Sequence, residues 1–216
     1  MTFNNIIKVP FINLIMKTLI AEGAEARIYK DNNLIIKERV SKSYRIKELD
    51  DKLIKYRNRR EISILEKASR IINVPKIIKT EDNKIFMEFI DGDKLSDILD
   101  SYSENKRNNT CKEIGRQLAL LHNANLIHGD LTTSNMILKE NKLYFIDFGL
   151  GFIDDNVEHK AVDLHLIKQA LESKHYKIFK ESFNFVLEGY KISKEYEKII
   201  DRLDKVEKRG RYKSKK

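Results

Sequence analysis

The stretch His128-Gly129-Asp130-Leu131-Thr132-Thr133-Ser134-Asn135, followed after a short apolar hairpin by Ile146-Asp147-Phe148-Gly149, constrains this chain more than any other. The hairpin is predicted from Met136-Ile137-Leu138, a turn at 139–142 and the run Leu143-Tyr144-Phe145-Ile146. Taken singly, His-Gly-Asp reads as a turn and Asp147 as the end of a strand. Taken together, they set a loop carboxylate, Asp130, just ahead of an amide, Asn135, and bring a second carboxylate, Asp147, in behind the hairpin. Phosphoryl transfer asks for such a set: one carboxylate to receive or orient the attacking hydroxyl, and an oxygen-rich pair to hold divalent cations that bridge nucleotide phosphates. The pattern gives Asp130 the first task and Asn135 with Asp147 the second, with ATP and Mg²⁺ as cofactors.

A chain of 216 residues, 41% apolar and 35% charged, has room for one large domain or two lobes sharing a cleft. No stretch approaches the roughly 20 apolar residues of a membrane span. Residues 1–15 read as an N-terminal extension without the pattern of a signal peptide, being interrupted by Asn4, Asn5, Lys8, Pro10 and Asn13, and Met16 is expected to open the first strand. The single cysteine, Cys111, forms no internal disulfide, which points to the cytoplasm, and it reads as a small packing residue. The net charge is +9, and Lys205 to Lys216 carries +6 of it, with seven basic residues against Glu207. Such a run is expected to be a mobile basic tail, free to meet a polyanion or simply to solubilise the chain's end.

Thr18 to Ala21, Ala26 to Lys30 and Leu34 to Lys37 are β-prone and predict a three-stranded meander with a turn at 31–33. Residues 47–69 read as a helix on the spacing of Leu49, Leu53, Tyr56, Ile62 and Leu65. It ends before Pro75, and two further strands follow at 76–80 and 85–89. A short helix at 94–99 and a polar loop at 101–109 precede a helix marked by Ile114, Leu118 and Leu121. Three more helices are predicted from Leu164, Ile167 and Leu171, from Tyr176, Phe179, Phe183, Val186 and Tyr190, and from Tyr196, Ile199, Leu203 and Val206. The aromatic row of the second reads as core. Asp163 is either a charge at a helix N-terminus or a brace reaching back to the loop at 128–130.

This order resembles a protein kinase. The resemblance makes Gly23-Ala24-Glu25 the loop over the ATP phosphates, although only Gly23 supplies the usual glycine and Glu25 would bring negative charge there. It makes Lys37 the ATP-binding lysine, and Glu61 either its helix-borne partner or a solvated charge. It also makes Met87 to Gly92 a hinge, with backbone groups of Glu88 and Ile90 on the adenine. Gly129 stands where kinases carry an arginine that reads a phosphorylated activation loop, no Ala-Pro-Glu follows Gly149, and no long activation segment fits before Asp163.

With Gly23-Ala24-Glu25-Ala26, Arg60-Glu61, Lys160-Ala161-Val162-Asp163-Leu164 and the ending Lys208-Arg209-Gly210-Arg211 added, the chain closely resembles the small atypical, RIO-like kinase of the KEOPS complex, the PRPK family, in its archaeal form. The resemblance covers about residues 16–216. It implies an α+β, compact two-lobed protein-kinase-like fold with a truncated helical C-lobe: N-lobe 16–90, C-lobe 91–204, basic tail 205–216. It also implies an ATPase or Ser/Thr kinase that supports threonylcarbamoyladenosine modification of tRNA, beside the ASKHA-fold threonylcarbamoyl-transferase and other KEOPS subunits. The tail residues Lys208, Arg209, Arg211, Tyr212 and Lys213 are the expected tRNA contacts. Competing readings are an aminoglycoside-type small-molecule kinase, for which the helical end is short, a RIO-type kinase, expected to lack Phe148-Gly149, and a nucleotide-binding scaffold.

Overall fold

The computed structural model describes residues 17–213, with side chains through Arg209. The extension 1–15, the strand start expected at Met16, and the side chains of Arg211, Tyr212 and Lys213 lie outside the described residues.

The N-terminal half is an antiparallel sheet of β1 (Thr18–Glu22), β2 (Ala26–Asp31), β3 (Leu34–Arg39), β4 (Ile77–Glu81) and β5 (Lys84–Glu88), in the order β1-β2-β3-β5-β4. The β2–β3 turn is closed by Asn32 at φ 51°, a conformation that asparagine tolerates better than most residues. Helix α1 (Lys47–Ala68) lies between β3 and β4 in sequence, as expected, but its phase differs from the apolar spacing. Leu49 and Tyr56 are each 61% exposed, and the buried row is Asp50, Ile54, Asn58, Glu61, Ile64, Leu65 and Ala68. Three of those seven are polar. They are buried because Arg45 and Arg39 reach Asp50, Asn58 and Glu61, a pairing that an apolar count passes over.

The C-terminal half begins with β6 (Asp93–Lys94), α2 (Leu95–Ile98) and α3 (Glu104–Asn123). The expected loop at 101–109 is helical from Glu104 onward, because Arg107 and Asn108 bond Glu181 of a later helix and fasten the polar first turns of α3. Next come β7 (Leu126–Ile127), the predicted hairpin β8 (Met136–Lys139) and β9 (Lys142–Phe145), and β10 (Phe152–Ile153). The last helices are α4 (Val157–Lys174), α5 (Phe179–Tyr190) and α6 (Tyr196–Lys213). Tyr176 precedes α5 and is 67% exposed, so it is no part of the aromatic row, whose Phe183, Val186 and Tyr190 are buried. Cys111 is buried and free.

The basic end also departs from expectation. Residues 205–213 continue α6 rather than leaving it. Val206 packs on the core, Glu207 takes Lys168 at 2.5 Å, and Arg209 takes Glu158 at 2.8 Å. One apolar position per turn and two ion pairs are enough to hold helix where charge count alone suggests none.

Helices α3 and α5 cross at a pair of glycines. A Cβ on Gly115 would stand 1.8 Å from the Val186 carbonyl oxygen, and one on Gly189 1.9 Å from that of Lys112. Gly115→Ala is therefore expected to lower stability by about 2 kcal/mol, since backbone on the far side cannot yield and overpacking outweighs alanine's gain in helix propensity. A urea midpoint equal to wild type would contradict the close crossing.

Candidate active site

Lys37 sits on β3 with its side chain buried, and its Nζ is 2.7 Å from Glu61 Oε1 on α1 and 2.6 Å from Asp147 Oδ1. Burial alone would lower the lysine's pKa, but the two carboxylates outweigh it and hold it above the usual value. Burial likewise pushes Asp147 up, and Lys37 with the Gly149 N–H brings it below the ordinary carboxylate range. Asp147 has φ 61°, unusual outside glycine, and its Oδ1 accepts the N–H of Gly149 at 3.1 Å, which holds the turn. Glu61 was expected to serve Lys37 alone. Its second oxygen also takes Arg39 at 2.6 Å, and Arg39 donates to Asn58 at 2.8 Å.

The catalytic loop leaves β7, which pairs with β10. Asp163 on α4 is the brace: Oδ2 accepts His128 N–H at 2.7 Å and Oδ1 accepts Gly129 N–H at 2.8 Å. Gly129 has φ 78°, and a Cβ there would meet the Leu150 carbonyl oxygen at 2.7 Å, so this position has no room for a side chain such as arginine. Asn135 donates through Nδ2 to the Asp130 carbonyl at 2.9 Å and to its Oδ2 at 3.0 Å, which leaves Oδ1 as the oxygen suited to a cation. The Asn135 carbonyl accepts Ile146 N–H at 2.9 Å, bringing it beside Asp147.

His128 joins the two halves of the site. Its Nε2 is 3.2 Å from the Ile146 carbonyl, which only accepts, so Nε2 carries the proton and Nδ1 receives the Asp130 N–H at 3.3 Å. Burial keeps the ring neutral against the surrounding carboxylates, and it lies 4.5 Å from the Phe148 ring. Neither this role nor those of Arg39 and Asn58 shows in the sequence, apart from Arg39 alternating with Lys37 on β3.

From Gly149 to α4 the chain is tied throughout. Gly149 O accepts Arg60, Gly151 N–H reaches Phe148 O, β10 pairs β7, Asp154 N–H reaches Asn125 O, and Asn156 caps α4 through Glu158 N–H.

The other expected site residues are placed as follows. Gly23 N–H closes its turn on the Ala26 carbonyl at 2.9 Å; Ala24 and Glu25 lie between. Glu25 is turned to α1, paired with Arg57 and with Arg45, so its charge is neutralised. The Glu88 N–H is donated to Lys76 O, so an adenine contact at that residue would fall to its carbonyl, and Ile90 is buried. Among the tail residues, Lys208 is exposed and Arg209 is paired.

These groups fit a nucleotide with a hard cation. Asn135 and Asp147 offer oxygen ligands beside a cationic lysine, and among the described residues no three His, Cys, Asp or Glu side chains converge into a cage. Mg²⁺ is commonly held that way, by one or two protein oxygens together with substrate phosphates.

The family model described as RIO domain matches residues 24–161. Phe148 and Gly149, which argue against a RIO-type kinase on sequence alone, lie inside that match. The chain is 45% identical to the KEOPS complex subunit Bud32 of Pyrococcus abyssi, over 90% of this chain and 96% of that one. It is 36% identical to a probable serine/threonine-protein kinase BUD32 homolog of Archaeoglobus fulgidus, over 88% and 94%. A probable bifunctional tRNA threonylcarbamoyladenosine biosynthesis protein of Methanobrevibacter smithii is 40% identical over 90% of this chain, which spans 36% of that longer protein. Among solved structures, the streptomycin–ATP–APH(2")-IIa ternary complex matches with a TM-score of 0.63 at 16% identity, covering 89% of this chain and 82% of that one. That likeness concerns the two-lobed fold alone.

Proposed function

This chain belongs to the RIO-domain family of atypical kinases, in its Bud32 branch, and from that premise we propose that it moves the terminal phosphoryl group of ATP to water or to a Ser/Thr hydroxyl in support of tRNA threonylcarbamoyladenosine formation. The observation that carries the reading is the convergence of Lys37, Asp130, Asn135 and Asp147 on one cleft, each held by a hydrogen bond or ion pair. Mg²⁺ held by Asn135 and Asp147 would neutralise charge on the phosphates. Lys37, kept cationic by its carboxylates, draws in a phosphate oxygen. Asp130, oriented by Asn135, takes or aims the proton of the attacking hydroxyl. Glu61 keeps the lysine in place.

The partners of this reading are the ASKHA-fold threonylcarbamoyl-transferase, the remaining KEOPS subunits and tRNA, all in the cytoplasm; among the described residues no helix is long and apolar enough to cross a membrane. The basic end supplies the tRNA contact, with Lys208, Arg209, Arg211, Tyr212 and Lys213 all carried on the last turns of α6. The test is ATP turnover by the purified chain, with and without tRNA and the transferase, in Mg²⁺. Turnover that rises with those partners is expected. Removing residues 210–216 spares the Arg209–Glu158 pair and is expected to weaken tRNA binding, flattening the log–log salt slope by about 0.7–0.9 for each phosphate no longer neutralised, with basal turnover unchanged. An unaltered slope would place the RNA-binding surface elsewhere.

A further inference from the structure

A buried line of side chains that phosphoryl transfer itself does not use runs from α5 to the catalytic loop. Tyr190, the last residue of α5, is fully buried, with its hydroxyl 2.5 Å from Nδ1 of His122 on α3. Across the ring, Nε2 lies 3.3 Å from Oδ2 of Asp163, the carboxylate that holds the His128 and Gly129 N–H groups. A carboxylate only accepts, so Nε2 carries the ring proton, Nδ1 presents a lone pair, and Tyr190 is its donor. Burial lowers the His122 pKa further than Asp163 raises it, which keeps the ring neutral and gives the line this one polarity.

We propose that Tyr190 is a positioning residue for the reaction: by donating to His122 Nδ1 it holds the imidazole at the angle from which Nε2–H reaches Asp163, and through Asp163 it holds the backbone that aims Asp130. Without the phenol hydroxyl, Nδ1 is a buried acceptor with no donor, and the ring is free to tilt and swing Nε2–H away from Asp163. The carboxylate is then free to rotate, and the two amides it holds rotate with it. The loop has little tolerance for that, since Gly129 lies at positive φ directly against Leu150. Displacing a reacting group by about an ångström is enough to cost up to 10²-fold in rate. The glycine crossing of α3 and α5 has its place here too, because only helices that close bring a phenol on one within 2.5 Å of an imidazole on the other.

The kinetic part of this inference rests on the proposed function; the structural part does not. Tyr190→Phe in the full chain removes one oxygen and keeps the ring. It is expected to lower kcat for ATP about tenfold with KM for ATP within twofold of wild type, and to speed deuterium exchange of the His128 and Gly129 amides about tenfold. Val186→Ala, equally buried one turn earlier on α5 but off the line, is the control. It is expected to lower the melting temperature at least as much while leaving kcat and those two amides as in wild type. If Tyr190→Phe shifts only the melting temperature, or if Val186→Ala loses kcat and amide protection to the same degree, Tyr190 is a packing residue and the inference falls. If the wild-type chain turns over no ATP, the proposed function fails on its own, and amide exchange in Tyr190→Phe still decides: faster exchange upholds the positioning role, unchanged exchange overturns it.

Discussion

Asp130→Asn and Asp147→Asn are each expected to remove the proposed Mg²⁺-dependent ATP turnover, by about 10²–10⁴-fold for loss of the proton acceptor and by at least as much for loss of the cation's carboxylate, with both proteins still folded. Asparagine is the right replacement for a structural reason. Asp147 sits at φ 61°, where alanine would add backbone strain to the loss of a ligand, and asparagine tolerates that conformation. At Asp130 the side chain's hydrogen bond is accepted from Asn135 Nδ2, and an amide oxygen can accept it equally well. Turnover and thermal melting measured on the same preparations check this. Near-wild-type turnover in either variant removes that residue from the chemistry.

The second large effect concerns stability. Glu61 neutralises two buried cations, Lys37 through Oε1 and Arg39 through Oε2, and is itself almost wholly buried. Removing one member of a buried ionic cluster typically costs 3–5 kcal/mol, because the partners left behind are buried without compensation. Glu61→Ala is thus expected to lose about that much, a large share of a total stability of about 5–15 kcal/mol. Lys37→Ala leaves Glu61 with Arg39, so it should impair ATP use while costing less stability. On a reading in which Glu61 only positions the lysine, Glu61→Ala is the milder change for ATP use. The second cation reverses that order for folding. Urea unfolding of both variants beside ATP binding tests it, and a Glu61→Ala midpoint matching wild type would contradict the cluster.

The groups proposed to react can be picked out in sequence because phosphoryl-transfer chemistry would confine them to short stretches. Asp130 and Asn135 share one loop, and Asp147 returns by a hairpin whose alternation is plain, so no distant contact has to be guessed. Long-range partners are another matter. Lys37 and Glu61 are found only because a cleft lysine needs an anion, and nothing in residue type announces that Arg39 shares it. His122 and Tyr190 read as ordinary helix residues until α3 and α5 meet. The same blindness explains the misphased face of α1. Counting apolar residues picks Leu49 and Tyr56, whereas the helix buries Asp50, Asn58 and Glu61 against cations. The start of α3 and the end of α6 are missed likewise, since both are held by ion pairs to other helices.

The tied segment between Gly149 and α4 has a consequence for control. Arg60, Phe148, Asn125 and the β7–β10 pairing hold its backbone at several points, and Gly129 carries no basic side chain on the loop beside it. A covalent mark there would meet a segment already held at these points and no arginine at position 129. The loop at 128–130 is held by Asp163 with or without such a mark, so its arrangement comes with the fold itself. Whatever decides when it acts must come from outside that segment, as an occupant of the cleft or a surface laid against the lobes, and its timing would follow concentration and encounter rather than modification and reversal.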